Sequence, residues 1–394
     1  MRPTTLASRD AVITSALRTP MGRGRPSGAL AGVHAVELLS QLFDPLLGEV
    51  DPAAVDDVLI GCVSQVGEQS GTPGRQAWLA AGLPEQVPSV TIERKCGSGQ
   101  QAVQFAAAGI MAGVYDIVVA GGVESMSRVP MGSARLDADP FGPLVTARFP
   151  GMVPQGISAE LVAARWGISR PELDEYAARS HRLAHGAVSD FAREISPVLT
   201  PAGLVTADET IRPTSTAATL AELKPAFQSA PGAERYPELT WSMTAGNSSQ
   251  ITDGAGAVLL MSRDRAETLG LRPRARITYM TAVGDDPVLM LGGPIPATRK
   301  LLAESGYALS DFDHIEINEA FASIPLAWMR EFDVIPDRVN PRGGAIALGH
   351  PLGASGTRLL TTMLHALEDN DGTLGMQVMC EAGGMANILV LERL

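Results

Sequence analysis

The two ends of the chain carry the same series of segments in the same order, and this constrains the fold more than any other feature of the sequence. Residues 11–16 (AVITSA) are echoed by 276–282, and 56–62 by 313–319. The stretch around Cys96 is echoed by 343–360 (GGAIALGHPLGASGTRLL). Residues 118–126 (VVAGGVESM) are echoed by 377–390 (QVMCEAGGMANILV), with Gly121-Gly122 set against Gly383-Gly384. The period is far longer than that of a solenoid, so duplication of one β/α unit is predicted rather than a repeat array.

Short β-branched runs alternate with Ala/Leu-rich stretches. Strands are expected over 11–16, 57–63, 89–94 and 115–120, and helices over 33–43, 75–81 (its beginning) and 100–112. This alternation predicts an α/β layered fold. Residues 105–115 (FAAAGIMAGVY) end at Asp116, too short to span a bilayer, and are read as a buried helix. Between the repeats the texture changes: prolines, polar turns, short helices and one amphipathic helix over 171–191. The division that follows is a first core half (1–126), an inserted loop domain (127–247) over one face of the core, and a second core half (248–394). Long ordered insertions commonly contribute to binding sites.

At about 150 residues per domain, 394 residues leave room for two or three domains. With 45% hydrophobic and 19% charged residues, the chain has the composition of a globular protein and not of a disordered one. A net charge of −12 argues against nucleic acid as the main ligand, while leaving room for a local basic spot that binds a small anion. Three cysteines (Cys62, Cys96 and Cys380) exclude a secreted disulfide scaffold and point to a reducing, cytoplasmic setting. Residues 1–10 lack the apolar run of a signal peptide, and the last three residues are not the peroxisomal tripeptide. No CxxC or HExxH pattern suggests a metal, and no GxxxxGK[ST] suggests a phosphate loop.

Four residues invite chemistry. Cys96, in ERKCGSGQQ, falls between a predicted strand and helix, where a helix N-terminus favours a thiolate. His350, in GGAIALGHPLGASG, has glycine-rich flanks that let backbone approach a ligand, and suits a base that activates a thiol. Cys380 follows a predicted strand and precedes a Gly pair. Asn318, in IEINEAFAS, ends a predicted strand, where its amide either caps the next helix or donates toward a water or an oxyanion. Taken singly, each also has a plain reading: inert core thiols for the cysteines and a hydrogen-bonded turn residue for the histidine.

Together they carry a resemblance. The chain resembles the thiolases through an ordered series of motifs covering essentially its whole length. These are RTP at 18–20, GRQA at 74–77, CGSG at 96–99, GGVESMS at 121–127, ISAELVA at 157–163 and DETIRP at 208–213. They continue with KPAF at 224–227, TAGNSS at 244–249, NEAFA at 318–322, GGAIALGHPLGASG at 343–356 and CEAGGM at 380–385. The resemblance implies the thiolase fold, with its duplicated halves and loop domain. It also implies acyl transfer between a cysteine and coenzyme A: thiolytic cleavage of 3-ketoacyl-CoA, reversible as a Claisen condensation, in fatty-acid or related acyl-CoA degradation. By this resemblance Cys96 carries the acyl group, His350 activates it, and Cys380 moves the α-proton. His350 with a water held by Asn318 forms one oxyanion site, and the backbone N–H groups of Cys96 and Ala382 form the other. Arg212 and Ser249 match positions that contact coenzyme A, and Phe227 and Phe321 match walls of the pantetheine channel. The family implies coenzyme A as a co-substrate with no tightly bound cofactor, acyl-CoA as partner, and a homodimer or homotetramer.

The chain also departs from the family pattern. Glu93 stands where relatives often carry Asn, Ala382 and Gln250 each replace a frequent Gly, and Pro154-Gln155 replace the His-Met of short-chain biosynthetic members. The stretch 227–244 is longer than in those members, and Cys62 has no motif partner and is read as structural. Three other readings compete: a decarboxylating ketoacyl synthase of the same fold type, a non-catalytic acyl-CoA-binding relative, and a Cys-His hydrolase. Cys380 in CEAGGM argues against the first, and the full set of four against the second. A Cys-His hydrolase leaves Cys380 and the duplication unexplained.

Overall fold

The computed structural model describes residues 9–394, so most of the N-terminal segment read for targeting lies outside the described residues. The strands are β1 (Ala11–Arg18), β2 (Gly22–Arg23), β3 (Asp57–Gly61), β4 (Ser89–Ile92), β5 (Ile117–Ser125), β6 (Val198–Thr200), β7 (Gly203–Val205), β8 (Thr252–Ser262), β9 (Ala275–Gly284), β10 (His314–Ile317), β11 (Leu374–Glu381) and β12 (Met385–Arg393). Most lie in a sheet of order β10-β11-β12-β9-β1-β8-β5-β3-β4, with β2 beside β8, while β6 and β7 form a separate hairpin.

That order is a palindrome about the β9–β1 junction. Reading outward, β1, β8, β5 and β3 match β9, β12, β11 and β10, while β4 and the short β2 have no counterpart. The predicted duplication is therefore real, with two corrections. Thr252–Ser262 lies between β1 and β5, so by strand order the first half runs on to Ser262 and the second begins at β9 rather than at 248. Parallel register sets Asp57 against Val118 and His314 against Gly375, which makes Val123 the counterpart of Cys380 and Glu124 that of Glu381. The two Gly pairs are consequently not equivalent. Gly121-Gly122 lie inside β5, whereas Gly383-Gly384 turn the chain between β11 and β12, both with positive φ.

The helices Ser98–Met111 and Ser355–Asp369 form the central layer. Ala102, Val103, Ala106 and Ile110 of the first share one core with Leu360, Met363, Leu364 and Leu367 of the second. They cross at glycines: a Cβ on Gly356 would lie 2.2 Å from the Gln100 nitrogen, and one on Gly99 2.6 Å from the Gly353 carbonyl. Ala35–Leu47 and Pro73–Ala80 cover the outer face of the first half. Pro294–Ser305 and Ser323–Phe332 cover the second, where the inserted helices Gln155–Arg165 and Arg170–Gly186 join the same core. The predicted helix over 171–191 is two helices, because the first ends at Gly186 and a short one follows over Val188–Phe191. The apolar run at 105–115 is not wholly buried: Phe105 is 49% exposed and Val114 68%. No helix among the described residues is long and apolar enough to cross a membrane.

Candidate functional site

Strand β4 ends at Ile92, short of the predicted Arg94, and the chain turns sharply before the central helix. Lys95 takes a left-handed conformation (φ 47°), and Gly97 caps the helix that begins at Ser98. The Ser98 hydroxyl accepts from the Arg94 N–H (2.9 Å) and donates to the Lys95 carbonyl (2.6 Å), fixing the turn that presents Cys96. A Cβ on Gly97 would lie 1.9 Å from Oε1 of Glu381, so a larger residue would require that side chain to shift.

His350 follows Gly349, whose φ of 93° and contact with Thr252 leave no room for a side chain. Its Nδ1 lies 2.5 Å from the Ser355 hydroxyl, which donates to the Pro351 carbonyl at 2.8 Å. A carbonyl only accepts, so Ser355 spends its single proton there and Nδ1 carries the histidine proton. Nε2 is then the bare, basic nitrogen, and it faces Asn318. Burial first, and then the Arg358 guanidinium, push the imidazole down to about 3, so the ring is neutral.

Asn318 immediately follows β10, in which Ile315 and Ile317 enter the core while alternate positions face the other way. It does not cap the following helix, which starts after Ala322. Its Nδ2 lies 3.4 Å from Nε2 of His350 and 3.5 Å from Sγ of Cys380. One buried amide therefore sits between two of the predicted residues. Burial, with smaller contributions from Cys380 and Glu381, pushes the Cys96 thiol well up, while the backbone N–H groups of Cys96 and Ala382 pull it down. Cys380 is pushed up to about 12, again by burial, against the Asn318 amide. Desolvation therefore outweighs the favour that the helix terminus lends a thiolate at Cys96. Cys62 is buried beside Glu124 and raised by burial, in keeping with a structural thiol.

Several supporting residues escaped the sequence reading. Glu319 accepts from Tyr176 (2.9 Å), Ser180 (2.7 Å), Asn340 (2.9 Å) and the Ile346 N–H (3.0 Å). Asn340 also pairs with both backbone groups of Ile317 at 2.8 Å. This network pins the strand end that carries Asn318. Only its place in NEAFA could have signalled Glu319. Ser355 was signalled by the repeated Ser-Gly at 98–99 and 355–356.

Of the predicted coenzyme A contacts, Phe321 shares a core with Cys380, and Phe227 packs against that core. Phe227 and Phe321 meet edge to face with ring centroids 5.8 Å apart. The Ser249 N–H donates to the Ala320 carbonyl (2.9 Å), which joins the segment before β8 to the same loop. Arg212 lines an open cleft of about 470 Å³ with Arg23, Pro213, Thr214 and Thr219, and no catalytic candidate lines it. Burial, with Arg23 and Arg25 adding, lowers the Arg212 guanidinium from its ordinary value, which marks a cluster of positive charge that the sequence reading had credited to Arg212 alone. No cluster of three or more metal-ligating side chains occurs among the described residues.

Comparison with known proteins matches residues 11–264 to the thiolase N-terminal domain and 271–393 to the thiolase C-terminal domain. The chain belongs to the thiolase family. The hand-over between the two thiolase domains, between 264 and 271, falls in the same interval as the β8–β9 junction. Among curated thiolases, the chain is 45% identical to a steroid 3-ketoacyl-CoA thiolase of Mycobacterium tuberculosis, over 98% of this chain and 94% of that one. It is 42% identical to a 3-ketoacyl-CoA thiolase of Aeromonas hydrophila, over 98% and 100%. Among solved structures, the acetyl-CoA acetyltransferase of Bacillus anthracis superposes with a TM-score of 0.87 at 37% identity, covering 99% of this chain and all of that one.

Proposed function

We propose that this thiolase is an acyltransferase that cleaves 3-ketoacyl-CoA with free coenzyme A in acyl-CoA degradation. The observation that carries the reading is the Asn318 amide set between the His350 ring and the Cys380 thiol, in a chain that matches both thiolase domains. In this reading Cys96 attacks the keto carbon while its proton passes to Nε2 of His350. The thiol is protonated at rest, so proton transfer accompanies bond formation. The bond between the α and keto carbons breaks, and its electron pair stays on the α-carbon as an enolate. Cys380 is held in the protonated form and supplies the proton that turns the enolate into acetyl-CoA. Incoming CoA then gives its thiol proton to the Cys380 thiolate and takes the acyl group from Cys96, whose sulfur recovers its proton from His350. Asn318 and His350 stabilise charge on the enolate oxygen, and the backbone N–H groups of Cys96 and Ala382 stabilise the tetrahedral adduct.

Arg212, backed by Arg23 and Arg25, takes the anionic end of coenzyme A. Ser249, Phe227 and Phe321 flank the pantetheine arm. No tightly bound cofactor is needed for this chemistry. Strand β4 ends the sheet with an unpaired edge, next to the exposed Val90 and Phe105, and this apolar edge supports a homodimer as the basic unit, by itself or paired into a tetramer. Three unpaired, buried cysteines fit a cytoplasmic protein. The test is loss of acetoacetyl-CoA absorbance with and without free CoA. Consumption that depends on CoA is expected, and CoA-independent consumption would favour a decarboxylase or a hydrolase.

A further inference from the structure

Gln250 lies between the arginine cleft and the loop that carries His350. Its side-chain NH2 donates to the carbonyls of Thr210 (2.9 Å), Ile346 (2.9 Å) and Ala347 (3.1 Å). Its Oε1 accepts from Nη2 of Arg212 at 3.0 Å. Its backbone carbonyl accepts the His350 N–H at 3.1 Å and the Thr252 hydroxyl at 2.7 Å. Ile346 and Ala347 belong to the short helix Ala345–Leu348, which ends at Gly349, immediately before the histidine. The glycine that relatives frequently carry at this position offers none of the side-chain contacts.

We infer that Gln250 is a positioning residue serving both ends of the site: its oxygen aims the Arg212 guanidinium, and its NH2 group holds the loop from which His350 projects. The inference rests on the reading of Arg212 as the contact for the anionic end of coenzyme A. The amide chemistry suits both tasks. A carboxylate at this position would neutralise Arg212 and face three carbonyl oxygens. A neutral amide oxygen fixes the direction of the guanidinium and leaves its charge for the ligand. Arg23 and Arg25 repel Arg212, and the Gln250 oxygen is the side-chain acceptor that holds its guanidinium among the described residues.

The experiment uses the full-length enzyme and acetoacetyl-CoA, with either CoA or pantetheine as the acceptor thiol, since pantetheine lacks the phosphates. Removing a hydrogen bond to a charged group is expected to change affinity about tenfold. Gln250→Ala should thus raise KM for CoA about tenfold, keep KM for pantetheine within about twofold, and lower kcat about tenfold with either acceptor. Gln250→Met, which fills a similar volume without the amide, should repeat this pattern if the alanine variant does not fold. Arg212→Ala should raise KM for CoA alone. If it does not, the reading of the cleft fails and this inference fails with it. If it does, but both Gln250 variants keep the wild-type KM ratio or the wild-type kcat, the inference about Gln250 is overturned while the cleft stands.

Discussion

Ser98 and Ser355 begin the two central helices at equivalent places in the duplicated fold, and each holds one candidate residue of the site with a single hydroxyl. Ser98 accepts from Arg94 and donates to Lys95, which locks the turn presenting Cys96. Ser355 accepts from Nδ1 of His350 and donates to Pro351, which sets the tautomer of the ring. One inherited hydroxyl has thereby been put to a backbone use in the first half and a side-chain use in the second. Glu124 and Glu381 diverge in the same way. Glu124 accepts from Val63, Ser64, Gln69 and Gly353, whereas neither oxygen of the buried Glu381 has a donor among the described residues.

Ser355→Ala should leave the fold intact and release the imidazole to either tautomer. The loss of one hydrogen bond that acts in the chemical step is expected to lower kcat about tenfold, with little change in KM. Steady-state thiolysis of acetoacetyl-CoA measures this. An unchanged kcat would mean that Nδ1 is held by something else.

The two thiols should fail differently. Cys96→Ala should abolish acetylation by acetyl-CoA, read by mass spectrometry on the peptide that contains Cys96. Cys380→Ala should still acetylate Cys96, because thioester exchange needs no α-proton, yet lose about 10²–10⁴-fold in condensation. Exchange of the acetyl-CoA methyl protons with deuterated water should fall in parallel. Near-normal exchange in Cys380→Ala would move the α-proton to another group, with His350 the first to examine.

Glu381 should make stability depend on pH. Burial raises its carboxyl from 4.5 to about 8, against the lowering effect of Arg94. Between those values the folded protein keeps a proton that the unfolded chain has released, so stability declines as pH rises through that window and levels off above it. Glu381→Gln should flatten the fall in melting temperature between about pH 5 and 8. A slope identical to wild type would show that the carboxyl titrates normally. The same substitution removes a charge that raises the Cys96 thiol, and should extend acylation to higher pH.

Gly356→Ala tests the crossing of the central helices. The added methyl meets backbone of Gln100, which has no rotamer by which to yield. A loss of about 1–3 kcal/mol in stability is expected, measured by chemical denaturation. A neutral result would mean that the helices separate without cost.

The linear order of residues was enough to reveal the duplication, the α/β layering and the thiolase family, and to propose the set Cys96, Asn318, His350 and Cys380. Each of these is written in local spacing or in motifs that survive without knowledge of contacts. The register of the repeat was not legible: the two Gly pairs look alike in the sequence, while strand pairing aligns Glu124 with Glu381 instead. Protonation was not legible either. A helix terminus beside Cys96 suggested a thiolate, but whether a charge is tolerated depends on how completely the site is desolvated, and that is a property of the packed layers. The partners of Ser355, Glu319 and Gln250 lie on segments far away in sequence, so only the tertiary structure could join them. Motifs record which groups the chemistry uses, whereas burial and the hydrogen bonds between distant segments decide the state in which each group is held.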